Sequence, residues 1–212
     1  MEEWGAVFDC SDSPSGAEWP KRPSTPDHAM AAPIATYTSK VSGLWTPTHT
    51  LSNAEGPIGT LSTERKGVLM VGGTFRPLKG EVLHFRRDPG ILRSQFSVWT
   101  ENREWLGSSL RWSFVGSREI ALSTGNKPYR LLPTTGLRMG WHMYAPKTGE
   151  MARMTRGLLS RDAKIEVYRR VDLELVVFAY FLVSQIWPES IWPGRSVADD
   201  LDSIPVADKA AS

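Results

Sequence analysis

Between Ile58 and Tyr168 the chain alternates apolar and polar residues with a period of two, and turn residues interrupt the alternation often. Leu137, Met139, Trp141 and Met143 alternate with Arg138, Gly140, His142 and Tyr144. This gives a strand with one apolar and one mixed face. Pro146-Lys147-Thr148-Gly149 then reads as a turn, with residues 150–156 returning as the hairpin partner. Ile165 and Val167, set against Lys164, Glu166 and Tyr168, form another alternating stretch. Residues 58–63, 68–71, 81–86, 95–100, 110–114 and 120–123 are further candidate strands, several of them separated by Gly72-Gly73, Asp88-Pro89-Gly90 or Thr124-Gly125-Asn126. Many short strands at near-regular spacing predict a mainly β domain, an antiparallel barrel or a sandwich.

One segment departs from this pattern. Residues 173–187, LELVVFAYFLVSQIW, run unpunctuated for longer than an ordinary strand and predict a helix at about 172–187. Asp172 is placed to cap it, Glu174 suits its positive end, and Pro188 stops it. Its apolar residues, Val177, Phe178, Phe181 and Leu182 among them, lie on every side, so the helix must be surrounded. At about 1.5 Å per residue it would span roughly 22 Å, short of the ~30 Å of a bilayer core. Enclosure by protein is therefore expected in preference to a membrane anchor.

Outside the alternating body, residues 1–36 are rich in Ser and Pro and residues 195–212 carry Asp199, Asp200, Asp202 and Asp208. The reading is a disordered leader, a folded domain over residues 37–194 and an acidic tail. A chain of 212 residues with 41% apolar and 23% charged residues is long enough and apolar enough for one folded domain. Cys10 is the single cysteine, so a disulfide within the chain and a thiolate-rich zinc site are excluded, and a reducing, cytoplasmic setting is expected. Met1-Glu2-Glu3-Trp4 lacks the basic start and apolar run of a secretory signal.

The net charge of +2 conceals an uneven distribution. Residues 55–170 hold twenty basic against ten acidic residues, whereas residues 1–54 and 171–212 are net acidic. A basic body of this kind favours an anionic partner through its summed potential. Arg86-Arg87 and Arg169-Arg170 offer paired guanidinium forks suited to phosphate. Trp99, Trp105 and Trp112, interleaved with Arg93, Arg103 and Arg111, suggest either base stacking or core and rim packing. The four histidines, at 28, 49, 84 and 142, are far apart and show no metal-ligand spacing, and no phosphate-cradling or nucleophile motif is present. Cys10 lies beside Asp9 and Asp12, a setting that opposes a reactive thiolate. His142, on the mixed face of its strand, is expected to be exposed on the wall, with a pocket as the alternative.

Hairpins ending in Lys164-Ile165-Glu166-Val167-Tyr168-Arg169-Arg170 and passing directly into a wholly apolar helix resemble the tubby-like superfamily, which includes the tubby C-terminal domain, LURP-one-related proteins and phospholipid scramblases. The resemblance covers residues 51–187 and implies a closed β-barrel threaded by a hydrophobic C-terminal helix. It also implies phospholipid headgroups as a partner. The chain departs from scramblases in having Cys10 alone where they carry a cysteine-rich palmitoylated stretch, and Asp199, Asp200 and Asp202 lack the spacing of an EF-hand calcium loop. The leading expectation is a non-catalytic barrel, without cofactor or metal, that binds an anionic partner such as a membrane surface through Arg86, Arg87, Arg169 and Arg170. The alternatives are a small enzyme or carrier with a pocket in the barrel, and a barrel that binds single-stranded nucleic acid.

Overall fold

The computed structural model describes residues 32–43, 47–66, 69–88, 93–112, 119–125, 127–134 and 139–187. Their twelve strands are β1 (Ala35–Ser42), β2 (Thr48–Asn53), β3 (Gly56–Lys66), β4 (Leu69–Pro77), β5 (Leu83–Arg87), β6 (Arg93–Thr100), β7 (Trp105–Trp112), β8 (Ile120–Ser123), β9 (Pro128–Pro133), β10 (Met139–Ala145), β11 (Gly149–Arg156) and β12 (Ala163–Val167), and they are followed by helix α1 (Leu173–Ser184). Each strand pairs antiparallel with its sequence neighbours, and β1 pairs with β12 to close a barrel. Closure leaves no free sheet edge.

The period-two signal maps directly onto this wall. In β3 Gly59, Leu61 and Thr63 are buried between exposed Thr60, Ser62 and Glu64, and in β12 Ala163, Ile165 and Val167 face in while Lys164 faces out. The expected hairpin forms as β10 and β11, with Trp141 opposite Met154 and Met143 opposite Ala152. Its turn is held by Thr148 N–H donating to the Ala145 carbonyl at 3.2 Å, and it closes on Gly149 at φ 80°, a left-handed conformation that glycine adopts without strain. Strand β1 begins at Ala35, within the segment expected as leader. The expectations for residues 1–31 and 188–212, the acidic tail and Pro188 included, lie outside the described residues.

Helix α1 fills the barrel. Residues 175–183 are all buried, with Val177, Phe178 and Phe181 at 0% exposure and Leu182 at 5%. Phe85 of β5 stacks on Phe178 and Phe181 at 5.6 and 4.7 Å between ring centroids, and Phe96 of β6 meets Phe181 edge-on. Gly72-Gly73, expected as a turn, instead lies inside β4. The reason is close approach: a Cβ on Gly73 would stand 2.8 Å from the Phe181 ring and 2.7 Å from the Ser62 carbonyl oxygen. Past Ser184 the backbone tightens, with Gln185 N–H donating to the Leu182 carbonyl at 3.3 Å and Ile186 N–H to the Val183 carbonyl at 3.0 Å, and the Ser184 hydroxyl and the Gln185 side-chain amide both donate to the Phe181 carbonyl. At its start Asp172 occupies the capping position, but its carboxylate makes no capping hydrogen bond.

The antiparallel order defines two ends. Odd-numbered strands finish at one end and even-numbered strands at the other. Because α1 follows β12, it enters at the end where even strands finish, the entry end, and runs toward the exit end.

Candidate functional site

The four arginines singled out by sequence do not come together. Strands β5 and β12 run in opposite senses, so Arg86 and Arg87 lie toward the exit end while Arg169 and Arg170 follow β12 at the entry end. Arg86 and Arg87 are themselves adjacent on one strand, which turns them to opposite faces of the sheet. Arg86 is exposed on the outer wall and lines a shallow recess of about 430 Å³ with His84, Trp99, Thr100, Glu101 and Arg103. Arg169 and Arg170, both exposed, are followed in the chain by Asp172 and Glu174, which offset their charge at the helix entrance.

The exit end gathers cations from separate strands. Lys40 near the end of β1, Arg65 and Lys66 closing β3, Arg87 closing β5, Arg156 closing β11 and Arg161 in the loop after it all lie there. Lys40, Arg65, Lys66 and Arg161 are exposed. The acidic groups nearest them along the chain are Glu64, Asp88 and Asp162, and Asp162 is engaged by the Val41 amide at 3.3 Å while Asp88 accepts from the Ser97 hydroxyl at 2.6 Å. Only the order of the strands around the barrel reveals this convergence, because the residues are spread from position 40 to position 161.

Just beneath that surface lies a buried polar chain. The Tyr180 hydroxyl donates to Ser39 Oγ at 2.7 Å, which leaves its oxygen to accept from His49 Nδ1 at 2.9 Å. His49 is 5% exposed, and burial, reinforced by the nearby positive charges of Arg161 and Arg156, lowers its pKa to about 4. The imidazole is therefore neutral at pH 7. Burial likewise pushes the Tyr180 hydroxyl up to about 12. Nothing in the sequence pattern marks this chain, because its three members are a serine, a histidine and a tyrosine on three elements, and the period-two alternation becomes legible only from Ile58, past Ser39 and His49.

His142 faces out, as its register requires, but it is only 8% exposed and does not stand free on the wall. Its Nδ1 donates to Glu150 Oε1 at 2.7 Å, and Arg153 forks onto the same carboxylate at 2.9 Å through Nε and Nη2. Burial opposes the charge on Glu150, but these hydrogen bonds outweigh it and hold the carboxyl below its usual range. Arg153 also sits over the Tyr168 ring at 5.4 Å. The cluster clamps β10, β11 and the segment after β12 together.

Two other recesses occur among the described residues. One, of about 650 Å³, is the entry mouth around Leu83, Trp105, Tyr129, Asp172 and Leu175, and the other, of about 520 Å³, opens beside Lys40, Arg156 and Lys164 at the exit end. Of the tryptophans, Trp99 of β6 stands between His84 of β5 and Trp105 of β7 in the sheet register at the entry end, and Trp105 also lines the entry mouth. Among the described residues no three His, Cys, Asp or Glu side chains gather as a metal site, and no helix is long and apolar enough to cross a membrane. No family model, no curated protein and no solved structure matches this chain.

Proposed function

We propose that this chain is a tubby-like, non-catalytic barrel whose exit end engages an anionic membrane surface through phospholipid headgroups. The observation that carries the reading is the convergence of Lys40, Arg65, Lys66, Arg156 and Arg161 from three strands and one loop on a single end. Basic residues near an anionic surface contribute about 1 kcal/mol each, so a few on one face give measurable recruitment where scattered ones do not. The closed wall around an apolar C-terminal helix supports the reading, since it is the architecture that the tubby-like resemblance implies. The filled interior also favours surface binding over the carrier alternative, because α1 occupies the space an internal ligand would need.

Of the four arginines first considered, Arg86 and Arg87 remain in this proposal as part of the exit half. Arg169 and Arg170 become the control. The test is co-sedimentation with vesicles of phosphatidylcholine containing phosphatidylserine. Binding should weaken when Lys40, Arg65 and Lys66 become Ser and persist when Arg169 and Arg170 become Ser.

A further inference from the structure

The hairpin loop between β11 and β12 breaks the ordinary chemistry of turns. Ser160 N–H donates to the Gly157 carbonyl at 3.2 Å, closing a turn whose two corner positions are Leu158 and Leu159. Corners of this kind favour Gly, Pro, Asn, Asp and Ser, which tolerate the backbone or bond to it. Here two adjacent leucines occupy them, with Leu158 at 57% and Leu159 at 97% exposure. Single exposed apolar residues are commonplace, whereas an adjacent pair at the outermost point of a loop presents a continuous apolar tip.

That tip is held out by its own scaffold. Arg156 Nε donates to the Ser160 carbonyl at 2.5 Å, Asp162 N–H donates to Ser160 Oγ at 3.0 Å, and the Val41 amide donates to Asp162 Oδ1 at 3.3 Å. The Arg161 guanidinium donates to the Gly43 carbonyl, which ties the loop to the end of β1. A loop tied at three points to its own strand and to the end of β1, and braced by a fourth bond within itself, does not fold its leucines back onto the wall. Beside Gly157 lies the recess of about 520 Å³ that carries Lys40, Arg156 and Lys164 against the single carboxylate of Asp162, which the Val41 amide engages.

Apolar groups therefore come first and cations a few residues behind, in the order in which a membrane presents its layers from the inside out: acyl chains, then anionic headgroups. We infer that Leu158 and Leu159 insert into the acyl boundary of an anionic bilayer while Lys40, Arg156 and Arg161 contact its headgroups; Lys164 beside them is paired with Glu166 at 2.7 Å. This rests on the membrane reading of the exit end and adds an apolar anchor and a defined docking orientation. The projecting shape of the tip suits a fluid surface that can open around it, and the flanking positive charge selects an anionic one.

The experiment uses the full chain with Cys10→Ser, so that a dye can be placed at one site. Leu159→Cys carrying an environment-sensitive nitrobenzoxadiazole group is mixed with phosphatidylcholine vesicles containing phosphatidylserine, beside Thr148→Cys carrying the same group at the entry end. The label at 159 should shift to the blue and be quenched by lipids bearing a nitroxide on the acyl chain, while the label at 148 should do neither. In co-sedimentation, Leu158→Ser with Leu159→Ser should lower the partition coefficient by about tenfold for each leucine seated in the apolar layer. Both leucines are exposed, so these variants fold. A water-exposed label at 159 on vesicle-bound protein, or a double-Ser variant that binds as the parent does, overturns the insertion while the charge-based reading stands. A parent protein that ignores anionic vesicles overturns both.

Discussion

His49 Nδ1 lies 2.9 Å from the Tyr180 hydroxyl, and through that contact β2 grips the central helix at the exit end of the barrel. Ser39 completes the chain from β1 at 2.7 Å, so one phenol on α1 is shared between two strands that neighbour each other in the closed wall. An otherwise apolar helix could slide or rotate in an apolar barrel with modest loss. A buried polar contact at one depth and one angle fixes its register, because any displacement leaves polar atoms without partners.

Removing that hydroxyl tests the claim. Tyr180→Phe conserves the ring volume and leaves Ser39 and His49, at 0% and 5% exposure, without their shared partner. Stranding buried polar groups costs about 1–3 kcal/mol, which should appear as a lower denaturant midpoint at unchanged slope. An unchanged midpoint would mean that the chain of hydrogen bonds contributes nothing to holding the helix.

Acid should weaken the same region. His49 titrates at about 4 in the fold against 6.5 when unfolded, so between those values the unfolded chain binds more protons. Stability from this group is complete above pH 6.5 and is lost as pH falls toward 4, by about 3 kcal/mol in all. The His49→Gln protein has no imidazole to charge and should show a flatter decline across that window. Denaturant melts at pH 7, 5.5 and 4.5 on both proteins measure the difference.

Gly73 faces the Phe181 ring with no room for a side chain. Gly73→Ala should destabilise by about 1–3 kcal/mol, the usual cost of overpacking a core, because the nearest obstacles are a ring locked between Phe85 and Phe96 and a backbone carbonyl. Thermal melts of the variant should show the loss, and partial recovery when Phe181→Leu is added would identify the ring as the obstacle.

Arg103 offers the opposite sign. It is the one residue other than glycine with positive φ among those described, at 66°, in the tight connection where its N–H donates to the Thr100 carbonyl. A left-handed conformation costs a residue that carries a Cβ about 1 kcal/mol that glycine does not lose. Arg103→Gly should therefore leave the fold equally stable or up to about 1 kcal/mol more stable. A marked loss of stability would show that the guanidinium makes a contact worth more than the strain.

Much of the wall could be read in the chain because its strands bury one face against α1 and expose the other. Residues 120–123 were expected as a strand and form β8, and the alternation through Trp141 and Met143 yields β10 with its hairpin partner. Strands β1, β2 and β9 gave no such signal. In β1 only Ser39 is buried, in β2 the inward pair is His49 and Leu51, and in β9 Leu131 and Leu132 are both buried although they face opposite sides. The glycine pair in β4 misled for a physical reason, since glycine serves turns and close approach alike, and only the position of Phe181 distinguishes the two. Basic character could be counted in the sequence, but its convergence depends on which strands run which way. Adjacent arginines therefore pointed to Arg169-Arg170, which the topology places at the far end from Arg86-Arg87.

Whether the exit end faces the membrane is decided by sedimenting three proteins with phosphatidylserine-containing vesicles at about 0.1 M and about 1 M salt, where the screening length falls from about 10 to about 3 Å. The parent should bind at low salt and weaken at high salt. The protein with Lys40, Arg65 and Lys66 changed to Ser should lose roughly a hundredfold in low-salt binding, at about 1 kcal/mol per charge. The Arg169→Ser, Arg170→Ser protein should match the parent. Equal binding to neutral vesicles, or a loss confined to the Arg169 and Arg170 changes, would contradict a membrane-facing exit end.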